Sequence, residues 1–422
     1  MRRVVMMIID GLRADSVRPE WMPALAAYAA RSHVFGAHRG VFPSATRVSS
    51  ATIATGCYPE RHGLAGNAVA WWTNGGFDAV SVGSADFVER WRAQAGHTLQ
   101  VPTLADRLGE DMLIVSNSSP GAAHMQDPNR LARFFHRSGS WRPGGAPVPA
   151  EEALNVAYDS TGDAVTTARF CEALLHAAPA ACSLLWICEP DHTQHTIVLG
   201  SPDHRALLAG SDRMVAQVID AVERARAAGD DVLLLIGSDH GHETTDEVID
   251  VSAALVAGGF KAALDSREMV VASSGMGGLI YADYAGATDG LEAAGAAKLG
   301  TWLRAQPWCH DAWTGNALAQ VRLRAADGLI GAFALARRDD VNEFGVRGYA
   351  HVIKDQFSPN DASGNGQHGG FGPYEGAPLL LANGAGLAPG TSTQATALVD
   401  IAPTIAAHLQ LPHANYDGVS LL

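Results

Sequence analysis

The amino-acid sequence predicts an α/β protein: a doubly wound, mostly parallel sheet flanked by helices, with a further segment inserted as a cap. Three observations carry that expectation. Apolar runs of strand length recur at residues 4–9, 112–115, 182–188 and 231–236, continuous rather than alternating, as in strands covered on both faces. Stretches of helical periodicity separate them, which is the pattern of parallel strands joined by crossover helices. Each run is also followed at once by polar residues, and in open α/β sheets ligands gather at the carboxyl ends of the strands.

The first run, Val4 to Ile9, ends in Asp10-Gly11, and a helix is expected over 22–30. The stretch from Gly40 to Gly56 reads as an extended Pro-bearing approach, Val41-Phe42-Pro43-Ser44, followed by a short helix of small residues. Thr46 stands at the junction. Taken alone it is an ordinary N-cap; a hydroxyl at a helix start also faces unpaired N–H groups that suit a phosphoryl or sulfuryl oxygen. Cys57-Tyr58-Pro59-Glu60-Arg61 fits the C-x-P-x-R pattern of sulfatases. That reading is rejected, because in sulfatases the pattern opens the nucleophile helix, and here it follows Thr55-Gly56 at the helix end.

Residues 68–100, with Trp71, Trp72 and Trp91, read as an aromatic excursion over the site, and 101–108 as a helix. After the second strand comes Ser116-Asn117-Ser118-Ser119-Pro120-Gly121, and residues 137–150, rich in Gly and Pro, are expected as a surface loop. Helices are predicted over 161–178 and 211–228. From 248 to 352 the pattern loosens into Ala/Gly-rich helices and short strands (277–281, 329–334), so the expected division is a catalytic core over 1–247 and 353–422 with a cap over 248–352. The core resumes at Gly364-Asn365-Gly366-Gln367-His368, continues through a strand over 378–382, and closes with a helix over 397–408.

A chain of 422 residues, 47% hydrophobic and 18% charged, is long enough for a large core with a cap. Its net charge of −14, with no basic run, excludes nucleic acid or an anionic membrane as a surface-bound partner. No stretch approaches the roughly 20 apolar residues of a membrane helix, and the apolar start is too short for a signal peptide. Five cysteines without a CxxC spacing imply neither a disulfide framework nor a thiolate metal site, and a cytoplasmic setting is expected.

Asp10, Asp191, His195, Asp239, His240 and His368 all fall just after predicted strands or in Gly-rich loops, so the fold should bring them to one edge. Carboxylate oxygen and imidazole nitrogen suit Zn²⁺, and catalytic sites keep one position open. Two ions are the inference, with other divalent metals as alternatives. One Asp-His pair arises by chance, but three such loops together with Thr46 point to a dinuclear site.

The motifs IIDGLRAD at 8–15, FPSAT at 42–46, ATGCYPERHGLAGN at 54–67, EPDHTQH at 189–195, SDHGHE at 238–243 and GQHGG at 366–370 resemble, in order and spacing, the alkaline phosphatase superfamily and its nucleotide pyrophosphatase/phosphodiesterase branch. The resemblance covers roughly residues 1–245 and 360–410. It implies one zinc held by Asp191, His195 and His368, and a second by Asp10, Asp239 and His240, with Thr46 as nucleophile touching the second. It also implies that Asn67 binds a phosphoryl oxygen, and Arg47, next to the nucleophile, joins the catalytic group. His62, His192 and His242 are taken as supporting or structural. Monoesterase relatives and phosphonoacetate hydrolases carry basic residues after the strand that here ends near Val115, where this chain has only Ser and Asn. That favours a small phosphodiester or nucleotide-type substrate cleaved through a phospho-threonine, with Arg47 as a partial compensation that would suit a phosphonate if it reached a substrate carboxylate. The rival readings are a phosphonate hydrolase or phosphomonoesterase on the same site, and, from another class, a metal-stabilised binding protein without turnover.

Overall fold

The structure, a computed structural model, describes residues 1–283, 289–357, 363–412 and 414–422. Its centre is a nine-stranded sheet. We label these strands β1 (Arg2–Ile9), β2 (His33–Arg39), β3 (Met112–Ser116), β4 (Arg133–His136), β5 (Gly139–Trp141), β6 (Cys182–Ile187), β7 (Asp231–Gly237), β8 (Leu380–Asn383) and β9 (Gly390–Ala397). Their order across the sheet is β9-β2-β8-β7-β1-β6-β3-β4-β5. The interior block β7, β1, β6, β3 and β4 is parallel, whereas β8 runs antiparallel to both its neighbours and β5 turns back on β4.

β1 shows why its sequence is continuously apolar. Successive side chains point to opposite faces, and here both faces are covered. Val5, Met7 and Ile9 pack with Val215, Val218 and Val222 of the helix Pro202–Ala227 and with Phe170 of the helix Ser160–Leu174. Val4, Met6 and Ile8 pack with Ile53 of the helix Thr46–Thr55 and with Ile401, Ala402 and Ile405 of the helix Ile401–Leu409. The register pairs Ile9 with Ile187 and Ile8 with Gly237, so β1, β6 and β7 end level, and the residues that follow them share one edge.

Two further four-stranded sheets build on this core. The strands Met269–Ser273, Gly277–Ala282, Leu329–Leu335 and Cys309–Thr314 form an antiparallel sheet. The strand Glu243–Ile249 pairs in parallel with Arg347–Ile353 and antiparallel with Gly366–Gln367. The bounds 248 and 352 expected for a cap therefore both fall inside paired strands. Residues 68–100 form a hairpin (Ala68–Thr73 with Gly76–Ser81) and the helix Phe87–Ala95, and they share a hydrophobic cluster with the antiparallel sheet: Phe77, Phe87 and Trp91 with Leu279, Tyr281 and Leu329. A cavity of about 1270 Å³ lies between those two parts, and none of the sequence-predicted site residues lines it.

Three sequence expectations are corrected. Residues 137–150 are not merely a surface loop: β5 forms an edge hairpin with β4, fixed by Trp141 stacked on Phe134 with ring centroids 3.8 Å apart. β2 and β9 were missed because both are partly exposed strands, β9 at the sheet edge and β2 beside it, with no apolar run to announce them. The long helix begins at Pro202, nine residues before its expected start, where the Ser201 hydroxyl accepts the His204 N–H as an N-cap. Among the described residues no helix is long and apolar enough to cross a membrane.

Candidate metal centre and active site

Thr46 is not the cap of its helix. The N-cap position is Ala45, in extended conformation, and Thr46 is the first helical residue. Freed from capping, its Oγ1 lies 3.1 Å from His240 Nε2. The Nδ1–H of His240 donates to the Gly241 carbonyl, and that of His368 to the Ser44 carbonyl. With hydrogen held at Nδ1, both rings turn their Nε2 lone pairs inward, the arrangement that second-shell bonds impose on metal-binding histidines. The two rings stack with centroids 3.8 Å apart.

Around them the three strand ends deliver carboxylates. His240 Nε2 is 3.2 Å from Asp239 Oδ2, 3.6 Å from Asp10 Oδ1 and 4.0 Å from Asp191 Oδ1. Asp191 Oδ1 is 2.7 Å from His242 Nε2 and 3.6 Å from His368 Nε2, and Asp191 Oδ2 is 3.5 Å from His195 Nε2. Two groups of potential ligand atoms lie within 4.8 Å of one another among the described residues: Asp10, Asp239 and His240; and Asp191, His240, His242 and His368. His195 stands just outside the second group, and His242 occupies a place inside it that sequence reading assigned to a supporting role. Gly11 makes this crowding feasible: its φ is +65°, and a Cβ there would stand 2.8 Å from His242 Nε2 and 2.9 Å from Asp191 Cβ.

The electrostatics ask for cations. Burial, then the neighbouring Asp239 and Asp191 charges, raises the Asp10 carboxyl well above its ordinary value. Burial likewise raises Asp239, against the pull of His240. At Asp191 burial acts upward too, but His195, His242 and His368 together hold it well below the usual carboxylate range. Asp10 Oδ1 and Asp239 Oδ2 are buried without any hydrogen-bond partner. Unpaired buried carboxylate oxygens are costly, and two of them facing one imidazole are what a bound divalent ion would satisfy. The remaining oxygens are tied down, Asp10 Oδ2 by the Trp186 Nε1–H at 2.9 Å and Asp239 Oδ1 by the Gly11 N–H at 3.1 Å. The donor set therefore fits divalent metal, with three carboxylates and imidazoles rather than thiolates.

Asn67 joins the site through the nucleophile's neighbour: its Oδ1 accepts the Arg47 backbone N–H at 3.1 Å, which turns the side-chain NH₂ outward as a donor. The Arg47 amide is thereby occupied. Arg47 Nε donates to Ser119 Oγ at 3.1 Å. Sequence reading missed several supporting groups. Glu375 accepts Ser44 Oγ–H at 2.6 Å and the Gly370 and Gly372 N–H groups, so it anchors the loop carrying His368 to the approach before Thr46. Nothing but an acid in a Gly-rich loop announced it. Trp186 sits inside an apolar run and gave no signal at all. Tyr158, against the His192 ring at 4.2 Å, and Arg137 come from segments without a motif. His62, by contrast, is structural: it is buried between Thr52 Oγ1 and the Leu64 N–H. Cys57 lies at the far end of the nucleophile's helix, about 15 Å away for ten residues at 1.5 Å each.

Solved structures, an alkaline phosphatase among them, superpose over nearly the whole chain, so the fold is alkaline phosphatase-like. Murine ectonucleotide pyrophosphatase/phosphodiesterase 5, an inactive variant in complex with AMP, matches with a TM-score of 0.68 at 17% identity over 99% of this chain and 97% of its own. Phosphonoacetate hydrolase from Sinorhizobium meliloti 1021, in complex with phosphonoformate, matches at 0.63 and 16% over 97% and 96%. The alkaline phosphatase PafA matches at 0.70 and 14% over 100% and 99%. No curated protein matches the sequence. A profile of the type I phosphodiesterase / nucleotide pyrophosphatase family matches residues 4–300, and the chain belongs to that family. It is a hydrolase of phosphoryl compounds.

Proposed function

We propose that the chain hydrolyses phosphodiester or pyrophosphate bonds in small nucleotide-type molecules, with Thr46 as nucleophile and two divalent ions, zinc by the chemistry of the donors. The observation that carries this reading is the Thr46 hydroxyl, released from capping and aimed at His240 Nε2 at 3.1 Å, at the one place where Asp10, Asp191 and Asp239 converge.

Asp10, Asp239 and His240 would hold one ion, and Asp191, His195 and His368, with His242, the other. Bound there, such ions lower the pKa of a nearby hydroxyl and neutralise charge on a departing oxygen. The chain's own residues do the rest. Thr46 Oγ forms a bond to phosphorus as the bond to the leaving oxygen breaks, and the leaving group takes up a proton equivalent to the one Thr46 releases. Water then attacks phosphorus from the opposite side, the bond to Thr46 breaks, and Thr46 regains its proton. The Asn67 NH₂ and the Thr46 N–H at the start of the helix meet the non-bridging oxygens, where negative charge gathers, while the Arg47 N–H holds Asn67 in place.

Thr46→Ala is the test. With bis-p-nitrophenyl phosphate and metal-saturated protein, we expect turnover to fall by several orders of magnitude while metal content stays near that of the unsubstituted chain, and intact-mass analysis of acid-quenched wild type to find a phosphate on Thr46. A variant keeping more than a small fraction of the rate would remove Thr46 as nucleophile. A wild type that cleaves phosphomonoesters or phosphonoacetate far faster than any diester would overturn the substrate class and leave the site intact.

A further inference from the structure

The loop after β3, residues 116–119, contains no cation, yet it holds two. Arg47 reaches it from the nucleophile's helix, donating from Nε to Ser119 Oγ at 3.1 Å. Arg137 reaches it from the β4–β5 turn, donating from Nη1 to the Ser118 carbonyl at 2.6 Å and the Asn117 carbonyl at 3.1 Å. Arg137 is also stacked on Tyr158, its guanidinium carbon 3.9 Å from the ring centroid. The Tyr158 ring in turn lies against His192, the neighbour of Asp191. The tyrosine thus links the Arg137 guanidinium to His192, next in sequence to Asp191.

Neither arginine is spent on an acidic side chain: the described ion pairs include neither Arg47 nor Arg137. Arg47 keeps both Nη groups, and Arg137 keeps Nη2 and Nε, without a hydrogen bond to any described residue. What sets these two apart is position, since both meet the loop that follows β3 and Arg47 is the residue next to Thr46. Arg47 is wedged in place as well: its Nη2 stands 2.8 Å from where a Cβ on Gly83 would be, so the backbone of Gly83 forms a wall behind it. Arg137 is fixed on one side by two carbonyls and on the other by a ring, a pre-organised planar fork of the kind that takes a carboxylate or phosphate in bidentate fashion.

We infer that Arg47 and Arg137, both hung on the 116–119 loop, Arg47 next to the nucleophile and Arg137 stacked on Tyr158, bind a second anionic group of the substrate, a carboxylate or a further phosphate adjacent to the phosphoryl group attacked. This rests on the phosphoryl-transfer reading above and narrows it: the favoured substrate bears two anionic groups a few bonds apart, as pyrophosphates and phosphonocarboxylates do, rather than one isolated diester.

Three inhibitors of bis-p-nitrophenyl phosphate hydrolysis by the metal-saturated enzyme test it. Propylphosphonate has no second anion, phosphonoacetate adds a carboxylate and methylenediphosphonate adds a phosphonate. We expect one of the two-headed compounds to bind more tightly than propylphosphonate, and which one identifies the second group. Arg137→Gln should weaken that compound relative to propylphosphonate by on the order of 10- to 100-fold, the worth of one charge-assisted hydrogen bond, and Arg137→Lys should restore part of it. Equal inhibition by all three in the wild type, or an equal loss for all three in Arg137→Gln, would overturn the inference, the second result marking Arg137 as structural. If the diester is not hydrolysed at all, the proposed function fails, while calorimetric binding of the same three compounds still decides whether the arginines select a second anion.

Discussion

Replacing Trp186 with Phe is the sharpest probe of how the fold prepares the metal centre. Trp186 is fully buried on β6, between Ile8 of β1 and Ser116 of β3 in register, and its Nε1–H is the partner of Asp10 Oδ2 at 2.9 Å. That bond opposes the burial that otherwise pushes the Asp10 carboxyl toward its neutral form. A hydrogen bond to a charged group contributes about 1.5–3 kcal/mol. The void left by the lost half of the indole adds about 1 kcal/mol at roughly 24 cal/mol per Å³. The sum, about 2.5–4 kcal/mol, divides between two readouts. Denaturant unfolding of chelator-treated protein should reveal the cavity and much of the lost bond. Chelator competition on loaded protein should reveal a metal affinity weaker by about 10- to 100-fold, the usual effect of removing an outer-shell partner. A Trp186→Phe protein that resists chelator as well as wild type, with a stability loss under about 1 kcal/mol, would refute the view that this indole orients Asp10.

Acid should unfold the chain early. His38, His62 and His136 are buried and neutral, each held down at about 3 chiefly by burial; because the unfolded chain binds their protons from about pH 6.5 and the folded chain does not, stability present above pH 6.5 is lost as pH falls. At about 1.36 kcal/mol per unit and per group, roughly 6 kcal/mol is gone by pH 5, so a melting temperature unchanged between pH 7 and pH 5 would contradict the assignment, as would a slope unaffected by His62→Gln. Gly369 has φ +99°, and a Cβ there would fall 1.4 Å from the Ser274 carbonyl oxygen; Gly369→Ala should displace the His368 loop and lower both metal content and turnover, and a variant with wild-type metal content would sink that expectation. Cys57 is buried with its thiol raised by burial, so Cys57→Ala should keep the hydrolytic rate within a few-fold, whereas loss of activity with retained fold would reopen the sulfatase-like reading.

Much of the catalytic edge was legible in the chain itself. Continuous apolar runs of four to seven residues rich in β-branched side chains fit strands covered on both sides, so Asp10, Asp191, Asp239 and His240, each just beyond such a run, emerge at one edge once the strands are parallel and in register. The small-residue helix beginning at Thr46 was legible for the same local reason. What local pattern does not encode is which partner an atom meets. That Thr46 leaves the capping role to Ala45, that His242 rather than His195 enters the tight ligand group, and that Asp10 is tied to Trp186 are decided by packing between strands up to two hundred residues apart. The absence of a basic residue after β3 was legible in the sequence, with Arg47 beside the nucleophile as its only foreseeable compensation. Tertiary structure adds Arg137, which meets the same loop as Arg47 from a segment ninety residues further on. Sequence spacing constrains charge only along the chain, whereas Coulomb's law acts through space, and the β4–β5 turn that delivers Arg137 is held by the stacking of Trp141 on Phe134, a contact no periodicity announces.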